Sequence, residues 1–108
     1  MICVTSKGSD LQSEVDPRFG RCAYFIFIDP ATMEFSAVEN TSMNAAQGAG
    51  ISAGKTVIDG DASAVLTGEC GPKAMQTLQS GDVKIYTGLN GTVEQAVQAY
   101  NEGSLKAI

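Results

Sequence analysis

Two hydrophobic periods alternate along the chain. Ile2-Cys3-Val4-Thr5 is a short, nearly all-apolar run, the pattern of a strand at the centre of a sheet. A polar loop from Ser6 to Gly20 follows. Cys22 to Ile28 (CAYFIFI) is then the strongest strand signal, rich in aromatic and β-branched residues. Asp29-Pro30-Ala31-Thr32 predicts a turn, because proline's fixed φ suits its second position. Glu34 to Glu39 returns as a third strand, whose terminal charges suit a sheet edge.

Beyond this hairpin the period lengthens. Gln47 to Asp59 sets Ile51, Ala53, Gly54, Val57 and Ile58 at helical spacing, and Gly60 is expected to close that helix in the left-handed region. Ala64 to Thr67 predicts a short buried strand. Pro72 suits a first helical position, with Ala74, Met75 and Leu78 inward and Gly81 as the stop. Val83 to Tyr86 is the last strand. Thr92-Val93-Glu94-Gln95 is a capping box, followed by Val93, Ala96, Val97 and Tyr100 on one face and Gly103 at the end.

The order is βββαβαβα. The hairpin makes strands two and three antiparallel, and the helical crossovers make strands one, four and five parallel. The expected fold is α/β: a mixed five-stranded sheet in order 3-2-1-4-5, with helices on both faces, in the ribonuclease H-like class.

Composition narrows the function classes. The 108 residues suit one domain, and 44% hydrophobic with 18% charged residues describes a globule rather than a disordered chain. The longest apolar run, Ala23 to Ile28, is far below the roughly 20 residues of a membrane span, and no signal peptide is evident. Net charge is −5 and the cations form no stripe, which argues against nucleic acid. Cys3, Cys22 and Cys70 are odd in number with no CxxC spacing, as expected for reduced thiols in the cytoplasm.

Catalytic constellations are sparse. GAGISAGKT (Gly48 to Thr56) approaches a phosphate loop, but its register is wrong, since Ala49 stands where the first glycine is needed. The first strand lacks the carboxylate that a two-metal nuclease would carry there. With no histidine in the chain, triads and imidazole ligation are excluded. The expectation is a protein that is not an enzyme.

Three loops are expected at the carboxyl ends of parallel strands, where α/β sheets bind ligands. They are DPRFGRC (Asp16 to Cys22), TGECGPKA (Thr67 to Ala74) and TGLNGT (Thr87 to Thr92). The last two run into helix N-termini, which offer free N–H groups to an anion. Candidate site residues are Arg18, Phe19, Gly20, Arg21, Cys22, Gly48, Gly50, Gly68, Cys70, Gly71, Lys73, Asn90 and Gly91. Phe19 suits either a loop anchor or a ligand wall. Cys70 precedes a helix start, where a thiol's pKa tends to fall. Cys22 and Cys70 stay open as direct metal ligands or as structural thiols.

The loops resemble those of the dinitrogenase iron–molybdenum cofactor biosynthesis family. The matching segments are DPRFGRCAYFIFID (16–29), GAG (48–50), TGECGPKA (67–74) and GTVEQAVQAYNEGSL (91–105), in order and over nearly the whole chain. The chain also resembles the family's orange proteins of sulfate-reducing bacteria, which hold a mixed molybdenum–copper sulfide cluster. The resemblance implies non-covalent binding of an anionic molybdenum–sulfur cluster, with or without copper, and partners in a cluster-delivery or regulatory complex. Relatives serving nitrogenase assembly often carry histidine at the position of Arg18. Its absence here favours a thiomolybdate-type polyanion that brings its own sulfur, held by Arg18, Arg21 and main-chain N–H groups. The alternative is a protein–protein interaction or regulatory module whose family pocket is empty.

Overall fold

In the computed structural model, which describes residues 1–108, the segments of period two become β1 (Ile2–Ser6), β2 (Tyr24–Ile28), β3 (Phe35–Glu39), β4 (Ala64–Leu66) and β5 (Lys84–Tyr86). The helical segments become α1 (Ala49–Asp59), α2 (Pro72–Ser80) and α3 (Val93–Asn101). One sheet forms in the order β3-β2-β1-β4-β5, the expected ribonuclease H-like arrangement. The β1–β2 and β2–β3 pairs are antiparallel; β1–β4 and β4–β5 are parallel.

Register sorts the apolar residues into two cores. Cys3 pairs with Phe27 and Val65, and Val65 with Ile85, on the face that packs against Ala53 and Val57 of α1 and Ala74 and Leu78 of α2. Ile2 pairs with Ile28, and Val4 with Ile26 and Leu66, on the face covered by Val93, Ala96 and Val97 of α3. Helices therefore lie on both faces. Each fully buried Leu or Ile contributes about 1.5–3 kcal/mol relative to exposure. A one-residue slip of β1 would exchange the two sets, so the register is strongly fixed.

Boundaries differ in instructive ways. Strand two begins at Tyr24, so Cys22 lies in the loop before it. Helix α1 begins at Ala49, with Gly48 at the N-cap in the left-handed region (φ 75°). Gly60 does not close α1 in that region: its φ is −81°, and Asp61 is the left-handed residue (φ 60°). The same holds after α2, where Gly81 is right-handed and Asp82 has φ 59°. A short polar side chain can bond locally and so tolerates this region. Ile51 faces outward at 37% exposure instead of joining the core. No helix is long and apolar enough to cross a membrane.

Strand direction gathers the loops. The carboxyl ends of β1, β4 and β5 share one end of the sheet. Ser6 pairs with Tyr24 and Tyr24 with Glu39, so the start of β2 and the end of β3 lie there too. The loops 7–23, 40–48, 67–71 and 87–92 therefore converge at that end.

Candidate functional site

The loop into β2 is held by its neighbours rather than by its own structure. The Asp16 N–H donates to the Thr5 carbonyl at 2.9 Å, and the Thr5 hydroxyl donates to the Asp16 carbonyl at 2.7 Å. That hydroxyl also pairs with the Thr67 hydroxyl at 2.8 Å, tying the ends of β1 and β4 together. Two main-chain bonds then zip the loop to the segment after β4: Glu69 N–H to the Pro17 carbonyl (2.6 Å) and Phe19 N–H to the Glu69 carbonyl (3.1 Å). Phe19 is buried and meets Phe25 edge to face at 6.4 Å between centroids. It anchors the loop from beneath.

Glycines set how closely the parts approach. A Cβ on Gly20 would stand 2.9 Å from both Cα and N of Gly50, and one on Gly68 would stand 2.6 Å from Cα of Pro17. Within the helix pair, a Cβ on Gly50 would meet Ala74 Cβ at 3.2 Å and one on Gly54 would meet Thr77 Cγ2 at 2.7 Å. Gly50 and Gly54 are thus packing residues that bring α1 onto α2, and Gly20 brings the 16–22 loop onto the first turn of α1.

This packing places two helix N-termini side by side. Neither α1 nor α2 has a side-chain cap, and neither has an acidic residue in its first turn. The N–H groups of Ala49, Gly50, Ile51, Lys73 and Ala74 have no protein acceptor. They edge two adjoining depressions of about 520 and 450 Å³, which share Gly48, Gly50 and Lys73. Gly20, Arg21 and Gly71 line the second. A Cβ on Gly48 or Gly71 would project into open space. The result is a surface of main chain bearing partial positive charge.

Helix α3 is different. Thr92 accepts from Gln95 N–H at 3.1 Å and Gln95 accepts from Thr92 N–H at 3.0 Å, while Glu94 sits in the first turn. The capping box closes this N-terminus together with the carbonyls of Ser13 and Leu11, which accept from Val93 and Glu94 N–H, and the third loop lines neither depression. Asn90 is exposed outside the depressions. The carbonyl of Gly91 accepts from Val15 N–H at 2.8 Å, a structural tie.

The cations divide by occupation. Arg18 is pledged to buried Asp16, whose Oδ1 accepts from Arg18 N–H at 3.1 Å and from Nε at 3.4 Å. Arg21 donates through Nη1 to the carbonyls of Met43 (2.9 Å) and Ala45 (2.5 Å), pinning the 40–48 loop beside the depression. Lys73 forms no salt bridge and opens onto both depressions. Asn40, which sequence reasoning missed, is buried; its Nδ2 donates to the carbonyls of Gly20 (3.2 Å) and Cys22 (2.9 Å). An asparagine directly after an edge strand was the one available signal.

No thiol lines either depression. Cys3 and Cys22 are both 0% exposed within the core of the α1–α2 face. Burial first, then the charge of Asp16, pushes the Cys22 thiol up to about 12. Cys70 is half-buried, and burial raises it to about 11, against the lowering expected at a helix start. No group of three His, Cys, Asp or Glu side chains is placed to hold a metal ion.

Comparison with known proteins places this architecture. The family model for the dinitrogenase iron–molybdenum cofactor matches residues 1–103. The apo form of the orange protein from Desulfovibrio gigas is 42% identical, with a TM-score of 0.96 over 99% of this chain and 91% of that one. A putative NifB protein from Thermotoga is 33% identical, with a TM-score of 0.85 over 98% and 90% of the two chains. A putative dinitrogenase from Methanocaldococcus jannaschii, 16% identical, shares the fold with a TM-score of 0.73 over 99% and 92%. The curated proteins gave no match. On the family match and these identities, the chain belongs to the dinitrogenase iron–molybdenum cofactor family.

Proposed function

We propose that the protein is a non-catalytic cytoplasmic carrier that holds an anionic molybdenum–sulfur cluster, with or without copper, at the depression between the 16–22 loop and the first turns of α1 and α2. The observation that carries this reading is the convergence of two uncapped helix N-termini, free of acidic side chains, on one glycine-lined surface beside Arg21 and Lys73. Such a surface suits a bulky polyanion, because N–H dipoles and cations attract it while the absent side chains leave room. The kinship with an orange protein supports a metal–sulfur cargo.

The donor set supports a cluster that brings its own ligands. With no histidine and no converging acid or thiol triad, the chain offers no chelate of the usual kind. Gly20, Arg21, Gly48, Gly50, Gly71 and Lys73 would make the cradle. Arg18, Gly68 and Cys70 border it, Phe19 and Cys22 support it from the core, and Asn90 and Gly91 take no part.

Anaerobic titration with tetrathiomolybdate and copper(I), followed by gel filtration and metal analysis, tests the reading. Molybdenum should co-elute with the protein, and doing so should not need any cysteine. Failure of molybdenum to co-elute would refute the cradle. Loss of the metal in a folded Cys22→Ser or Cys70→Ser variant would instead make that thiol a ligand.

A further inference from the structure

The two edges of the sheet are treated differently. The outer side of β5 is met by the C-terminal segment, where Ile108 N–H donates to the Ile85 carbonyl at 2.8 Å. No hydrogen bond reaches the outer side of β3. Asp29 N–H donates to the Glu34 carbonyl and Asn40 N–H to the Ala23 carbonyl, so Glu34 and Asn40 turn their main chain toward β2. By the antiparallel alternation Ser36 and Val38 do the same, and Phe35, Ala37 and Glu39 turn N–H and C=O groups outward.

The side chains around this open ladder are also unpartnered. All five residues of β3 are exposed, and Phe35 and Val38 are large apolar side chains at 42% and 41% exposure. Phe35 pairs with Ile28 and Val38 with Phe25, so each stands on a different face of the sheet. Natural edges are commonly blunted with lysine, proline or a bulge, and β3 has none of these. Its only charges are acidic: Glu34 and Glu39 flank the apolar stretch without an ion-pair partner, and no Lys or Arg occurs between Arg21 and Lys55.

We propose that β3 is a docking edge that takes up an extended, lysine- or arginine-bearing segment of a partner protein as an additional strand. Main-chain bonds to Phe35, Ala37 and Glu39 would supply the pairing, and cations opposite Glu34 and Glu39 the selectivity. A second copy of this chain is the wrong occupant, since self-pairing would bring four unpaired carboxylates to one seam between molecules of charge −5. This inference does not depend on the cargo assigned to the depression, although β3 leads through Asn40 into the loop pinned by Arg21.

The test uses the full chain and two short synthetic peptides, one alternating valine with lysine and one alternating valine with glutamate. The valine–lysine peptide should bind saturably and slow hydrogen exchange at the amides of Phe35, Ala37 and Glu39 by about tenfold or more. Binding should weaken as salt rises. Ala37→Pro removes an outward N–H that β2 does not use, and should abolish binding while thermal unfolding stays cooperative. N-methylation of alternate peptide amides asks the same question from the other side if that variant does not fold. Protection elsewhere, equal binding of the glutamate peptide, or peptide-free self-association through these amides would each overturn the proposal.

Discussion

Alanine at two glycines of the site should have opposite effects on the fold. At Gly20 the new methyl would sit 2.9 Å from main-chain atoms of Gly50, about half an ångström inside the 3.4 Å at which ordinary contact begins. Neither partner is a flexible side-chain end, so the 16–22 loop or the first turn of α1 must move. Overpacking of this kind costs about 1–3 kcal/mol. For a chain of this size that lowers Tm by roughly 4–12 °C. At Gly71 the φ of −70° and ψ of 164° suit any residue, and nothing lies within 4 Å of the new Cβ. Gly71→Ala should therefore leave stability unchanged or raise it by up to about 1 kcal/mol, through a less flexible unfolded chain. Its methyl nonetheless enters the depression and should weaken retention of thiomolybdate. Thermal unfolding by circular dichroism and anaerobic titration, run on both variants, separate the two effects. A Gly20→Ala protein as stable as the parent would refute the close-approach argument. Undiminished binding by Gly71→Ala would remove that position from the cradle.

Three further outcomes are expected. Lys73→Glu should weaken thiomolybdate binding by on the order of 1–4 kcal/mol in a partly screened site, whereas Lys84→Glu, at the other end of the sheet, should change it little; titration at two salt concentrations checks this. Asn40→Ala strips the Gly20 and Cys22 carbonyls of a buried donor and should cost about 1–3 kcal/mol in urea unfolding. The thiol of Cys22 is raised from 9.0 to about 12 by burial, so the folded state holds a proton that the unfolded chain releases above pH 9. Stability from this group is full below pH 9 and is lost progressively as pH rises toward 12, which a pH series of urea midpoints would follow, with Cys22→Ala showing a shallower decline.

The fold was legible because its local signals agreed with one another. The apolar run of β1, the aromatic run of β2 and the capping box at Thr92 each admit one reading, and the crossovers then set the sheet order. The site was legible only in part. The capping box that located α3 occupies its first N–H groups together with the Ser13 and Leu11 carbonyls, and neither Asn90 nor Gly91 lines a depression. Glycines at 20, 50 and 68 look alike in sequence, yet they serve contact between segments, while those at 48 and 71 border open space. That distinction depends on what lies across from each, and residue type does not encode it. Arg21 illustrates the same limit: its partners, the carbonyls of Met43 and Ala45, come within reach only once the two loops have met.

A cradle made chiefly of main chain has a thermodynamic character of its own. The five free N–H groups along its edge belong to first turns of helices whose first residues are fixed by packing against each other and the 16–22 loop. Long polar side chains lose rotamer freedom when they close on a ligand, at about 0.5–1.5 kcal/mol each, but peptide groups already held by a helix lose almost none. Amide protons also do not titrate in water near neutrality, so this share of the grip is constant across the pH range in which the chain stays folded. Such a surface recognises outline and charge rather than the element inside. Tetrathiotungstate, of the same shape and charge as its molybdenum counterpart, should therefore occupy it with nearly equal affinity.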